Sequence, residues 1–424
     1  MGRGTALLSV GIGVTGLITY TYFSIASHTL SESDYGGITL LWSAVFITVS
    51  VLYRPVEQLL SRTIADRDAR GQTGADHLRV AATIQLALGV LFAAVALALR
   101  GPLQDDLFGG SETLYWVLIV TVLAYAASYF ARGFLAGQRR FGLYGGLVLM
   151  EASSRVLFAL AVAIGIASGQ SVVALGIAAA PIVSLAVVPW ALRRRLTGDP
   201  PTDATPPADD TEFTLAHGSG FAVAVLAIML AEQTFLNAGP LLVKATADEG
   251  GAALAGFTFN VLLIARAPLQ LFQAVQTSIL PHLTRLGARG EDDPFRRSVN
   301  VTLAAIAGFA ALVALVMLAV GPSVMDLVFG GDFDYDRGGL VLISVDMGLY
   351  LAAATLNQAL LARGRAREAC VAWLAAAAGF VAFLLAPGFD DRVLQVEVGY
   401  VAGALVLCGL LYGLYRRGPL PTAD

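Results

Sequence analysis

Seven ionisable side chains interrupt otherwise apolar stretches of this 424-residue chain: Arg54, Glu57, Glu151, Arg155, Glu232, Arg266 and Asp346. On insertion scales a charge at mid-bilayer costs roughly 2.5–3.5 kcal/mol, so each of these needs a partner, an aqueous cavity or a route to the interface. Arg54 and Glu57 are three residues apart, and Glu151 and Arg155 are four apart, spacings that place each pair on one helix face. Two readings stand side by side. In one, the pairs neutralise themselves and hold helices together, with Arg54 also able to snorkel outward from about one turn inside. In the other, Arg54, Arg155 and Arg266 converge on a cavity and bind a phosphate or pyrophosphate, whose oxygens match the fork of guanidinium N–H donors.

The same ambiguity attaches to the remaining polar groups. Glu232 and Asp346 have no evident local cation in the sequence. They are candidates for coupling to H⁺ or Na⁺, or else partners of Arg266 or Arg155. Glu57 and Glu151 share that choice between ion coupling and charge pairing. Gln233, Asn237 and Gln270 would hydrogen-bond ligand hydroxyls or pin helices to one another. Enzyme chemistry finds little support. His28, His77, His217 and His282 have no metal-ligand spacing, Cys370 and Cys408 are too few for a framework, and no Gly-rich phosphate loop with a lysine is present. Asp66, Asp68 and Asp76 read as a solvated loop. No enzyme activity, metal, resident cofactor or nucleic-acid partner is expected.

The elements that must position these groups follow from composition. At 57% hydrophobic and 14% charged residues, with mean hydropathy +0.72, the chain belongs in a bilayer. A spanning helix needs about 20 mostly apolar residues. About twelve such runs occur, near 5–27, 36–58, 79–99, 113–136, 143–167, 171–192, 214–243, 252–275, 299–320, 339–361, 368–387 and 394–415. The first is too long, and lacks a small-residue cleavage signal, to be a removed signal peptide. Arginines gather at alternate ends of the runs, among them Arg62–Arg79, Arg132, Arg139, Arg140, Arg193–Arg195, Arg363, Arg365, Arg416 and Arg417. The opposite loops, such as "GPLQDDLFGG" and "GGDFDYDRGG", are acidic or neutral. The positive-inside rule then puts both termini in the cytoplasm, in the cytoplasmic membrane.

Repeats divide the chain. "GPLQDDLFGG" at Gly101–Gly110 is echoed by "GPSVMDLVFGG" at Gly321–Gly331; the basic turn "RGFLAGQRRF" by "QALLARGRAR"; and "RP" at Arg54 by "RAP" at Arg266. These matches define two parallel six-helix halves, 1–192 and 214–424, joined by a cytoplasmic Pro- and Asp-rich linker at 193–213. The expected fold is an all-α polytopic membrane protein of two pseudo-symmetric lobes.

The patterns "SHTLSESDYGGITLLWSAV", "YRPVEQLLSR", "LFGG" and "FARGFLAGQRRFGLYGG" resemble the polysaccharide flippases of the multidrug/oligosaccharidyl-lipid/polysaccharide (MOP) exporter superfamily. That resemblance implies two lobes around a central cavity. It further implies alternating access that carries a polyprenyl-(pyro)phosphate-linked oligosaccharide to the outer leaflet for cell-surface polysaccharide assembly. The three arginines would take the headgroup, and Gln233, Asn237 and Gln270 the sugar; a polysaccharide polymerase and glycosyltransferases would be partners. Two alternatives remain open. A cation-coupled multidrug exporter would be expected to place carboxylates deep in the first lobe, and the first apolar run contains none. A lipid-linked peptidoglycan precursor flippase would be expected to carry two further C-terminal helices.

Overall fold

In hydrocarbon every backbone N–H and C=O must be satisfied inside its own segment, so apolar runs of spanning length become helices. The computed structural model describes residues 3–69, 76–187, 219–247, 250–264, 292–330, 333, 335–387, 389 and 391–417, and among these there is no strand. The helices are α1 (Arg3–Thr29), α2 (Glu32–Leu52), α3 (Arg54–Ala69), α4 (Asp76–Ala98), α5 (Glu112–Gly137), α6 (Phe141–Ala163) and α7 (Gln170–Ser184). They continue with α8 (Ser219–Thr246), α9 (Gly251–Ile264), α10 (Asp292–Phe329), α11 (Arg337–Ala362), α12 (Ala366–Leu385) and α13 (Arg392–Arg416).

Ten stretches among the described residues are long and apolar enough to cross a membrane, with α2 and α3 forming one stretch, Glu32–Asp68. Together with α1 and the shorter apolar α9, this accounts for the twelve or so spans expected. The outward surfaces fit lipid. Leu86, Val90 and Leu97 on α4, and Val301, Leu312 and Leu315 on α10, are exposed, and only 6% of the apolar window of α10 is buried in protein. Contiguous apolar surface of this kind is unfavourable in water and at home among acyl chains.

Three boundaries differ from expectation. The segment after Gln58, expected as a polar loop, stays helical to Ala69, and Pro55 does not end it because it falls in the first turn of α3, where its missing N–H matters least. The disturbance is local: the α-helical ladder runs on through Tyr53 between α2 and α3, its N–H donating to Val49 O at 2.9 Å and its carbonyl accepting from Glu57 N at 2.9 Å. "GPLQDDL" is a π-helical turn, Pro102–Leu107, and not a loop. "GPSVMDLVF" is the end of α10, a 38-residue helix that carries Pro322 inside it.

The chain divides into two compact units, one of Met1–Leu30 with Leu40–Ser219, the other of Ser31–Thr39 with Gly220–Asp424. The expected linker, 193–213, lies outside the described residues. In the first unit α1 packs on α6, α6 on α7, and α5 on α3, α4 and α7. The Tyr22 hydroxyl donates to Val173 O at 3.0 Å, tying α1 to α7. In the second unit α10 packs on α11, and α13 on α11 and α12. There the start of α2 is held by the Tyr35 hydroxyl on Asn260, whose amide donates to the Tyr335 hydroxyl at 3.0 Å.

Each unit contains the same basic corner. After α5, Arg140 N donates to Leu135 O and Arg139 N to Ala136 O, both at 2.9 Å; after α11, Arg365 N donates to Leu360 O at 3.0 Å and Gly364 N to Leu361 O at 3.1 Å. This is the Schellman arrangement, with a left-handed residue at the turn. That residue is Gly364 in the second unit (φ 74°) and Arg139 in the first (φ 56°).

Candidate functional site

The polar residues of the first unit meet on the facing sides of α5 and α6. Tyr125, Ser128, Tyr129 and Arg132 recur at i, i+3, i+4 and i+7, one face of α5, while Glu151 and Arg155 stand one turn apart on α6. Small residues allow the approach of α3. A Cβ at Gly133 would lie 2.8 Å from Glu57 O, and one at Gly137 would lie 2.7 Å from Ile64 Cβ. The Gly-x-x-x-Gly spacing is what lets two backbones come this close.

Glu151, 2% exposed, is held at both oxygens: Oε1 accepts Ser128 Oγ at 2.5 Å and Oε2 pairs with Arg132 Nη2. Of the two readings of the Glu151 and Arg155 pair, self-neutralisation within α6 is not the arrangement seen. A cation on the neighbouring helix reaches the carboxylate head-on, whereas a same-helix partner must bend back along the helix surface to meet it. The sequence pattern makes Arg132 a helix-end arginine of a basic turn. It lies instead inside α5, with its side chain 13% exposed and its guanidinium 4.7 Å from the centre of the Tyr129 ring. The signal that could have found it is the Tyr-x-x-Ser-Tyr-x-x-Arg face of α5.

Arg155 is 4% exposed. Its Nη1 donates to the Tyr125 hydroxyl at 3.1 Å, and its guanidinium carbon lies 5.0 Å from the centre of the Trp42 ring. No carboxylate is among its described partners, and Nε donates to no described group. Trp42 belongs to an aromatic group with Phe46, stacked at 4.1 Å, and Phe23, edge-on at 4.8 Å. A desolvated cation over an aromatic face is stabilised by about 2 kcal/mol, less than the cost of burying a charge with no counter-ion. Such an arrangement has the chemistry to receive an anion.

Glu57 does not find its main partner in Arg54. It accepts a hydrogen bond from the Tyr144 hydroxyl at 3.0 Å, and both Arg132 and Arg54 act on it electrostatically. Arg54 itself is exposed on the first turn of α3. Arg266 and Gln270 lie outside the described residues.

In the second unit Glu232, on α8, accepts from the Tyr350 hydroxyl of α11 at 3.0 Å. Asp346 is half-buried one turn before Tyr350. Gln233 and Asn237 are buried and bonded to each other, Asn237 Nδ2 donating to Gln233 Oε1 at 2.9 Å.

No protein-family model matches the chain. It is 26% identical over 422 residues to an uncharacterized protein of Mycobacterium tuberculosis, covering 96% of this chain and 90% of that one. Among solved structures it is similar to a point mutant of the Vibrio cholerae MATE transporter VcmN, with TM-score 0.64, 16% identity and 98% of both chains covered. It is similar also to a MOP superfamily transporter from Pyrococcus furiosus, with TM-score 0.60, 14% identity and 98% of both chains covered. The architecture is that of the MATE transporters, an all-helical membrane fold of about twelve spans in two lobes.

Proposed function

We propose that this chain is a membrane exporter working by alternating access, and that its cargo is anionic: a polyprenyl-phosphate or pyrophosphate-linked oligosaccharide moved from the cytoplasmic to the outer leaflet. The observation that carries the reading is Arg155, a deeply buried guanidinium over Trp42 with no carboxylate among its described partners. A pocket that leaves a cation uncompensated attracts phosphate oxygens and repels cationic drugs. For the P. furiosus transporter, reverse polarity of the binding pocket suggests a different function; a buried arginine over an aromatic ring fits a departure of that sort in this chain. Arg54 and Arg266 are proposed as headgroup residues on the sequence alone. The protein would sit in the cytoplasmic membrane with both termini inside and supply a polysaccharide polymerase.

A second reading, a cation-coupled multidrug exporter, draws on Glu232 with Tyr350 and the half-buried Asp346 in the second unit. Such a carboxylate group suits a coupling ion as well as it suits a cationic cargo. Native mass spectrometry of the purified protein with polyprenyl-phosphate and pyrophosphate sugars separates the two. Wild type is expected to retain the lipid, and Arg54→Ala, Arg155→Ala and Arg266→Ala to lose it. Equal retention by all four, or by none, would return the drug-exporter reading to the front.

A further inference from the structure

Arg132 and Arg155 both approach Tyr125, one with its guanidinium 6.0 Å from the ring centre and the other on the hydroxyl at 3.1 Å. Their counter-charges are unequally shared. Arg132 has Glu151 as an ion-pair partner and also feels the charge of Glu57. Arg155 has no described carboxylate, although Glu151 is only one helical turn away, at the i, i+4 distance where Cβ atoms are about 5–6 Å apart. A rotation of the Glu151 side chain would therefore carry its charge from Arg132 to Arg155, and Arg132 would still be left with Glu57.

We propose that Glu151 is an exchangeable counter-ion: on Arg132, where the structure has it, it leaves Arg155 open to the cargo's phosphate, and on Arg155 it displaces that phosphate. The inference rests on the reading of Arg155 as an anion site and adds its release mechanism. In this structure Glu151 is on Arg132, the cargo-ready state, and Ser128 is the latch that holds it there through a 2.5 Å hydrogen bond. Binding of a phosphate and binding of Glu151 at Arg155 exclude one another. Return of the carboxylate thus expels the anion, which a permanently open arginine would retain. With the phosphate bound, or with Glu151 on Arg155, each arginine has a negative group beside it; the open state seen here leaves Arg155 alone without one among the described residues, and that is what draws the anion in.

Two substitutions push the exchange in opposite directions. Glu151→Gln removes the competitor and leaves Arg132 with Glu57. Ser128→Ala releases the latch and lets Glu151 settle on Arg155. Titration calorimetry of inorganic pyrophosphate into the purified full-length protein in detergent is the test, with Arg155→Ala alongside. Expected are binding no weaker than wild type in Glu151→Gln, at least fivefold weaker in Ser128→Ala, and lost in Arg155→Ala. A purely structural role for Glu151 would weaken binding in both Glu151→Gln and Ser128→Ala, and that result overturns the exchange while leaving the anion site standing. Should Glu151→Gln fail to fold, unchanged binding in Ser128→Ala overturns the exchange by itself. Pyrophosphate binding that survives Arg155→Ala would overturn the anion site itself.

Discussion

At the residue scale the first unit turns on how two arginines divide two carboxylates. Arg132 is the informative position because it touches the proposed anion only through Glu151. Removing one member of a buried pair ordinarily costs about 3–5 kcal/mol, since the other charge is stranded. Here Glu151 has somewhere to go. Arg132→Ala is expected to destabilise the protein by less than that range and yet to weaken pyrophosphate binding at least tenfold, because the released carboxylate fills Arg155. Chemical unfolding followed by calorimetry on the same preparation measures both. A large loss of stability with unaltered binding would contradict the exchange. Arg155, Glu151 and Glu57 are legible in the sequence because an ionised group in an apolar run is conspicuous. Arg132 is not, because it lies five residues before Gly137, the end of α5, where a helix-end arginine and a buried one look alike. Which carboxylate serves which arginine is also beyond reach, since pairing across helices depends on rotation of α5 and α6 about their axes, and the i, i+4 rule sees one helix at a time.

At the element scale, the polar face exists only because α3 and α5 touch at glycine. Gly133→Leu would place its Cβ 2.8 Å from Glu57 O, forcing the helices apart and drawing Glu57 from Tyr144. The expected loss is about 1–3 kcal/mol from overpacking, read as a lower thermal midpoint in detergent. Gly146→Leu on α6, where a Cβ meets nothing within 4 Å, should leave the midpoint nearly unchanged; equal losses would show that side-chain bulk, and not this crossing, matters. The α5–α6 corner gives the opposite sign. Arg139 holds φ 56° where the second unit has Gly364, and a non-glycine residue in that region costs roughly 1–2 kcal/mol. Arg139→Gly is therefore expected to raise the thermal midpoint. Arg140→Gly, at φ −84°, should not, and a fall in both would assign Arg139 a contact that outweighs its strain. Helix count and type are readable because hydrocarbon permits little else. Helix ends are less so: the prolines that resemble loop signals, Pro55, Pro102 and Pro322, all sit inside helical or π-helical turns, in a solvent where breaking the helix is worse than bending it.

At the scale of the whole molecule, the two halves share a corner and a Gly-Pro to Phe-Gly helix end, and differ in their buried charges. The first unit is organised around arginines, whereas the second presents Glu232 with Tyr350 and Asp346 nearby. The swap of Ser31–Thr39 into the second unit has no trace in the sequence, because hydropathy marks a helix and not the unit it joins. On the proposed function, Arg155 of the first unit would take the phosphate and Glu232 of the second would serve the driving ion. Glu232 is the test of the second half of that statement. Glu232→Gln keeps the volume and the hydrogen bond from Tyr350 but cannot exchange a cation. In proteoliposomes it is expected to cut gradient-driven transport of a polyprenyl-pyrophosphate sugar at least tenfold, while cargo exchange at equilibrium, which needs no net ion movement, continues near the wild-type rate. Loss of both activities would make Glu232 part of the path or the packing. Retention of gradient-driven transport would move the energy source away from this carboxylate, toward removal of the product on the far side of the membrane.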